Sequence, residues 1–425
     1  MKVKGISLGC KVNTYEIEYV LSNFKDKGYE ITNDIADIYI INTCSVTNMS
    51  DAKSRKVINR VVRENPMAIV VVMGCMIEAN KDYSNDGVNI IIGNKDKNKI
   101  VELVEEYLEN KEKIKKIYSD FDKEFEDMFI TNMEGRTRAF VKIQDGCENF
   151  CSYCIIPYTR GKCRSKKKET VLKEIETLVN NGYQEIVLTG IHTGHYGEDS
   201  MVSFSQLLSE IVKIEGLKRL RISSIEITEL NNDFLKVLEK NPVIVDHLHI
   251  PLQAGSDKVL REMNRKYDTK YYYNKINEIR KIRPNISITT DVIVGFPGET
   301  DAEFLETCEF SKKIGFSKIH VFPYSRRKGT KADLMTNQID ERIKKERVAK
   351  LIEISNGLEK KYLEKFIAQE VEVLVEKVFD GKSYGHTGNY LEVEINHECD
   401  KNSLVYAIIK KRNDKILEGE INGRD

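Results

Sequence analysis

Twice along this chain, short runs rich in Val and Ile alternate with longer amphipathic stretches, and this alternation restricts the fold more than any other feature. Strand, helix, strand at such spacing is the pattern of a parallel sheet with right-handed crossovers. In the first hundred residues the predicted strands are Lys4 to Leu8, Ile35 to Ile41, Ala68 to Met73 and Val88 to Ile92. Helices are predicted over Tyr15 to Lys27, Ser50 to Glu64 and Lys99 to Glu109; the first shows the helical period at Ile17, Val20, Leu21 and Phe24. Asn110 to Asn132 is dense in charge, lacks an apolar period and reads as a linker. From Arg138 the alternation resumes, with strands at Ala139 to Ile143, Glu185 to Thr189, Leu217 to Ser223, His247 to Leu252, Ser287 to Val294 and Lys318 to Phe322. Roughly six β/α units of this kind make an open version of the barrel whose strand C-termini carry active sites. After a long helix over Glu341 to Phe366 the pattern turns to short β runs at Glu370 to Val378, Leu391 to Ile395, Leu404 to Lys410 and Ile416 to Ile421, with Gly381, Gly385 and Gly388 as turn residues. The expected architecture is α/β. A parallel α/β domain spans 1–110, a linker 111–135, an open (β/α)6 partial barrel with its trailing helix 136–366, and a small β-barrel 367–425. Such small barrels often bind oligonucleotides, an inference from fold analogy.

Six of the nine cysteines fall where these folds place ligands. Cys10, Cys44 and Cys75 each come one to three residues after a predicted strand. In a parallel sheet those ends share one edge, where ligands bind, so three cysteines distant in sequence converge in space. Unrelated buried thiols would have little reason to choose the same end of three strands. Cys147, Cys151 and Cys154 form a C-x3-C-x2-C loop just after the first strand of the barrel. A [4Fe–4S] cube usually takes four cysteine ligands, so three leave one iron open to a small molecule. The chemistry that uses an open iron is reductive cleavage of S-adenosylmethionine to a carbon radical. A zinc knot would pair C-x2-C with a second close pair of Cys or His, and none lies nearby. Cys163, Cys308 and Cys399 are read as non-ligands, and the His192 and His195 pair as polar loop residues rather than a metal site.

Lys+Arg and Asp+Glu both number 67, so bulk charge argues neither for nor against a nucleic-acid partner. Local patches do: Arg160 to Lys168 holds six Lys/Arg in nine positions, and Arg326-Arg327-Lys328 and Lys410-Lys411-Arg412 are smaller clusters. Read as phosphate contacts, they make RNA affinity fall steeply with salt; read as solvated faces, they do nothing. The longest apolar run, Ala68 to Met73, is far shorter than a membrane span, and the N-terminus lacks a secretory apolar region, so a cytoplasmic protein is expected.

The two cysteine sets, in this order on these two folds, resemble the methylthiotransferases of the radical-SAM superfamily. The matching stretches are Leu8-Gly9-Cys10, Asn42-Thr43-Cys44, Met73-Gly74-Cys75, the Cys147–Cys154 loop with Ile155-Ile156-Pro157-Tyr158 and Arg160-Gly161 behind it, and Val294-Gly295-Phe296-Pro297-Gly298-Glu299-Thr300. The terminal β segment looks like a TRAM domain, which binds RNA in that family. Leu8-Gly9-Cys10-Lys11-Val12-Asn13 and Thr43-Cys44-Ser45-Val46-Thr47-Asn48 look most like the bacterial branch that methylthiolates carbon 2 of threonylcarbamoyl-adenosine beside the anticodon of ANN-decoding tRNAs. Other branches act on isopentenyl-adenosine or a ribosomal protein, and nothing physical in Lys11-Val12 derives the substrate. The resemblance implies two [4Fe–4S] clusters. One, on Cys147, Cys151 and Cys154, binds S-adenosylmethionine. An auxiliary one, on Cys10, Cys44 and Cys75, carries the sulfur to be delivered. It also implies Thr189-Gly190 near the methionine amino group, Glu226 at the ribose hydroxyls, Gln253 at a polar edge and Gly295 close to the adenine. For each of these a structural turn or a solvated polar group is an equal account. The implied partners are tRNA, an electron donor such as flavodoxin or ferredoxin, and a sulfide source; a monomer is the default. The rival from another class is a non-catalytic metal-cluster RNA-binding module.

Overall fold

In a computed structural model, residues 1–118, 120–121 and 124–421 are described. The N-terminal unit is a six-stranded sheet in the order Glu30–Ile31, Lys2–Ser7, Ile38–Thr43, Ile69–Gly74, Ile90–Ile92 and Ile114–Lys116, every neighbour parallel. Ile38–Thr43 and Ile69–Gly74 are buried along their whole length, as central strands covered on both faces should be. Helices Lys11–Asp26 and Asn48–Glu64 cover the sheet, the second started by Thr47, whose side chain accepts from the Ser50 N–H. Two of the strands escape the sequence pattern. Glu30–Ile31 is two residues long, and Ile114–Lys116 lies inside the stretch read as linker, so the sheet runs past residue 110. The rest of that stretch is no free tether: Met128, Ile130 and Met133 are buried in the core of the next unit.

That unit has six parallel strands in two sheets, Arg138–Lys142, Glu185–Thr189 and Arg219–Ile222, then His247–His249, Ser287–Val294 and Lys318–Pro323. Parallel bridges Leu220 to Ile244 and Ser224 to His249 join the sheets into one open barrel wall. Helices Lys168–Asn180, Phe204–Ile211, Asn232–Lys240, Thr269–Ile282 and Asp301–Ile314 line the outside, and one large apolar cluster fills the space between. Glu341–Glu364 trails across the last strand and leads into a closed five-stranded barrel, Glu370–Phe379, Lys382–Thr387, Glu392–Ile395, Leu404–Asn413 and Ile416–Ile421. Gly385, which the sequence pattern marks as a turn residue, falls in the strand Lys382–Thr387. An added Cβ there would lie 2.0 Å from the Leu374 carbonyl oxygen across the ladder.

Candidate active site

The N-terminal sheet delivers its cysteines as the strand ends require. Cys10 comes three residues after Lys2–Ser7, while Cys44 and Cys75 directly follow Ile38–Thr43 and Ile69–Gly74. Burial pushes the Cys44 thiol up to about 11, and the thiols of Cys75 and Cys10 push it further in the same direction. The backbone is shaped around these sulfurs: Gly9 has φ +97°, and a Cβ on it would lie 2.5 Å from the Cys44 Sγ. Arg160 Nε donates to the Cys75 Sγ at 3.3 Å and Asn94 Nδ2 at 3.5 Å. Three converging soft donors, with a cation and an amide aimed at one of them, fit an iron–sulfur cluster; inert buried thiols need no such company.

The second set sits on the loop after Arg138–Lys142. Its backbone is pinned from the far side of the barrel: Asn264 Nδ2 donates to the Asn149 and Phe150 carbonyls at 3.2 and 3.0 Å, and Ser152 Oγ to the Glu262 carbonyl at 2.7 Å. Phe150 is held at φ +46° within this clamp, strain that is kept only where surroundings impose it. Burial pushes the Cys147 and Cys154 thiols up to about 12, and the neighbouring Cys151 thiol raises both. Arg265 answers that concentration of sulfur, donating from Nη1 to the Cys151 Sγ at 3.1 Å while its Nη2 pairs with Glu226. Nothing in the sequence around Arg265 distinguishes it from other arginines; only the fold brings it here.

Arg160 ties the two units together. It is fully buried, and its Nη1 reaches Glu16 of the N-terminal unit at 2.9 Å and both Asp145 oxygens of the barrel at 3.1 Å, while Nη2 donates to the Asn13 Oδ1 at 3.0 Å. Lys142 and Lys97 complete the network around Glu16. Burial alone would raise the Asp145 carboxyl, but Arg160 foremost, then Lys142 and Arg164, hold it far below the usual carboxylate range.

Between the units lies a cavity of about 760 Å³, lined by Cys10, Cys44 and Cys75 on one side and by Thr189 and Gly190 at a barrel strand end on the other. The terminal barrel closes it with Tyr390. That ring stacks on His386 at 4.9 Å, and the Arg221 and Arg138 guanidinium groups lie 4.7 and 5.2 Å from its centroid. Tyr390 holds φ +65° in a turn fixed by Thr387 Oγ1, which donates to the Asn389 Oδ1 at 2.5 Å and accepts from the Leu391 N–H at 2.9 Å.

The predicted cofactor contacts separate. Thr189 and Gly190 line the cavity. Glu226 lies beside the cysteine loop through Arg265. Gln253, at φ +67°, and Gly295 are not among the cavity's lining residues. Gly295 has φ +72° and faces the Lys344 side chain, whose Cγ a Cβ would approach to 2.4 Å; that turn accounts for the glycine by itself. His192 and His195 do more than the polar-loop reading allowed. Their rings stack at 3.4 Å, both meet the Glu229 carboxylate, and His192 Nδ1 is 3.6 Å from the Cys147 Sγ. The ligand atoms of these three residues lie within 4.8 Å of one another. Burial lowers both imidazoles to about 4 and raises Glu229 to about 8.

The basic run is corrected in half. Arg160, Arg164 and Lys166 are buried, Arg160 and Arg164 against Asp145 and Lys166 against Glu174; only Lys162, Lys167 and Lys168 of that run are left toward solvent. Arg327 is buried as well, donating to the Ser45 Oγ at 2.5 Å and to Asp51 at 2.8 Å just past Cys44, so it joins the two cluster-bearing units. Lys410 and Lys411 pair with Glu420 and Glu418.

Comparison with known proteins agrees with this geometry. Residues 141–311 match the radical SAM superfamily and residues 2–93 the uncharacterized protein family UPF0004. The chain is 44% identical to the threonylcarbamoyladenosine tRNA methylthiotransferase of Bacillus subtilis, over 91% of this chain and 88% of that one. It is 38% identical to the Aquifex aeolicus protein of the same name, over 96% and 100%. A tRNA-2-methylthio-N(6)-dimethylallyladenosine synthase from Carboxydothermus hydrogenoformans is 34% identical, over 98% and 96%. Among solved structures, a radical S-adenosylmethionine methyltransferase from Kitasatospora setae superposes with TM-score 0.57 at 12% identity, covering 75% of this chain and 72% of that one, a likeness of fold.

Proposed function

The chain belongs to the tRNA methylthiotransferases of the radical SAM superfamily, and we propose that it adds a methylthio group to carbon 2 of threonylcarbamoyl-adenosine in tRNA. The observation that carries this is a cavity between the units lined by Cys10, Cys44 and Cys75, with the second triad on the barrel loop after Arg138–Lys142 and Arg160 spanning the two units. Cys147, Cys151 and Cys154 would hold the cluster that binds S-adenosylmethionine, and Cys10, Cys44 and Cys75 the auxiliary cluster. Bound there, these groups supply the one-electron and sulfur chemistry that an unpolarised C–H bond demands and that no side chain offers. The protein's own residues position and enclose. Arg265 and Arg160 stabilise thiolate charge. Thr189, Gly190 and Tyr390 line the cavity.

Reductive chemistry draws single electrons from a small donor such as flavodoxin or ferredoxin, and delivered sulfur from a sulfide source. A monomer working in the cytoplasm on tRNA meets these needs; among the described residues no helix is long and apolar enough to cross a membrane. Anaerobic reconstitution tests the reading. About eight irons per chain are expected from two [4Fe–4S] clusters, with deoxyadenosine formed on adding reductant and S-adenosylmethionine, and methylthiolated nucleoside on adding tRNA that carries threonylcarbamoyl-adenosine. Zinc without cleavage activity would overturn it.

A further inference from the structure

We propose that Lys11, with Arg221 beside it, forms a carboxylate-binding site in the cavity that grips the acidic N6 substituent of the substrate adenosine. The inference rests on the reading above that the substrate is threonylcarbamoyl-adenosine. That substituent ends in a free carboxylate, whereas a dimethylallyl group is apolar. It is carried on N6, and N6 and carbon 2 flank the same ring nitrogen, so a grip on the substituent presents the reacting edge of the base.

Three observations converge on Lys11. It lines the cavity immediately beside Cys10, and the groups that act on it electrostatically are Tyr390, Arg138, Arg221 and Cys10. The other charges around the cavity are answered: Arg138 by Glu376, Arg221 by Glu185, Asp291 by His249, and Glu359 by Lys318 and Lys415. Glu392 stands exposed at the lining. Lys11 has neither an ion pair nor a hydrogen bond from Nζ among the described residues. Arg221 supplies a second unsatisfied donor: its Nε and Nη2 are engaged with Glu185, and Nη2 also with the Thr387 carbonyl, while its Nη1 is buried without a partner. For Arg221 Nη1, a buried donor left unmade is costly; Lys11 is exposed and bears no such cost, so its part rests on its place in the cavity and its want of an ion pair.

The local helix argues the same way. Lys11 opens Lys11–Asp26, whose first turn carries no acidic residue. The positive end of a helix favours anions and disfavours cations, so Lys11 is placed against the stability of its own helix. A helix N-terminus, a lysine and an unpartnered guanidinium nitrogen together present donors to one anion. The Tyr390 ring, 39% exposed, lies beside them.

The test uses the reconstituted full-length enzyme and anticodon stem-loops bearing threonylcarbamoyl-adenosine, its neutral carboxamide analogue, or unmodified adenosine. Affinity is read by fluorescence anisotropy and turnover by mass spectrometry. The wild type should bind the acid at least about tenfold more tightly than the carboxamide, the worth of one charge-assisted hydrogen bond. Lys11→Gln should bind the two equally and Lys11→Arg should restore the preference, with iron content the same in all three. If Lys11→Gln keeps the full preference, or weakens acid and carboxamide alike, the proposal is wrong. If it loses iron and keeps the preference, Lys11 serves the auxiliary cluster and the proposal is again wrong. Failure of the wild type to methylthiolate the acid stem-loop at all would instead overturn the substrate reading on which this one rests.

Discussion

Replacing Arg160 by Met should loosen the contact between the two units while leaving each folded. Arg160 makes five polar contacts, to Glu16, to both Asp145 oxygens, to Asn13 and to Cys75, and all are buried. Removing one partner of a buried ion pair costs roughly 3–5 kcal/mol. Here the carboxylates are cushioned: Glu16 keeps Lys97 and Lys142, and Asp145 keeps Lys142 at 2.7 Å. The loss should therefore sit near the low end, about 3 kcal/mol. Calorimetry should read this as a fall in Tm of about 6 °C, since a chain of this size moves by ~2 °C per kcal/mol. Because Arg160 Nε also faces the Cys75 Sγ, iron in the reconstituted variant should drop from about eight toward about four per chain. A Tm within ~1 °C of the wild type and undiminished iron would refute the reasoning, because no buried network of this density can be that inert.

The same network sets an acid limit. Asp145 is held far below the ordinary carboxylate range in the folded protein, so its contribution is full above the unfolded pKa of about 3.9 and is lost as pH falls below it. Equilibrium unfolding should show stability falling with decreasing pH below about 4, less steeply in Asp145→Asn. Gly9→Ala places a Cβ 2.5 Å from the Cys44 Sγ and should remove the auxiliary cluster while sparing the other, read as half the iron with deoxyadenosine formation retained. Lys166→Ala should destabilise by about 3 kcal/mol, through the stranded Glu174, without changing the salt dependence of tRNA binding. Exposed Lys167→Ala should leave Tm alone and reduce the slope of log K against log salt by roughly one, if it meets a phosphate. Alanine at Cys163, Cys308 or Cys399 should leave iron content unchanged.

What the sequence disclosed follows from what periodicity encodes. Glu185–Thr189 and Ser287–Val294 are recovered to the residue because both are rich in β-branched residues and both end at a glycine. The six cysteines were legible for the same reason, each being counted from a strand end. Ile114–Lys116 was not, since an edge strand with one buried side chain leaves almost no pattern. Lys382–Thr387 was hidden by Gly385, whose cause is the Leu374 carbonyl across the ladder on the preceding strand. The basic run misled because charge density says nothing of partners: Asp145 lies fifteen residues from Arg160, but Glu16 lies 144 away. The roles of Arg265, Arg327 and Tyr390 were invisible for the same reason: Arg265 meets Cys151 114 residues away, and Arg327 and Tyr390 act on a site shared with another unit.

The central claim is tested most directly by mass spectrometry of nucleosides from total tRNA of cells with and without this gene. The account predicts that methylthio-threonylcarbamoyl-adenosine disappears and its unthiolated precursor accumulates. Loss of methylthio-dimethylallyl-adenosine instead, with the threonylcarbamoyl nucleoside unchanged, would contradict the proposed substrate and, with it, the role given to Lys11.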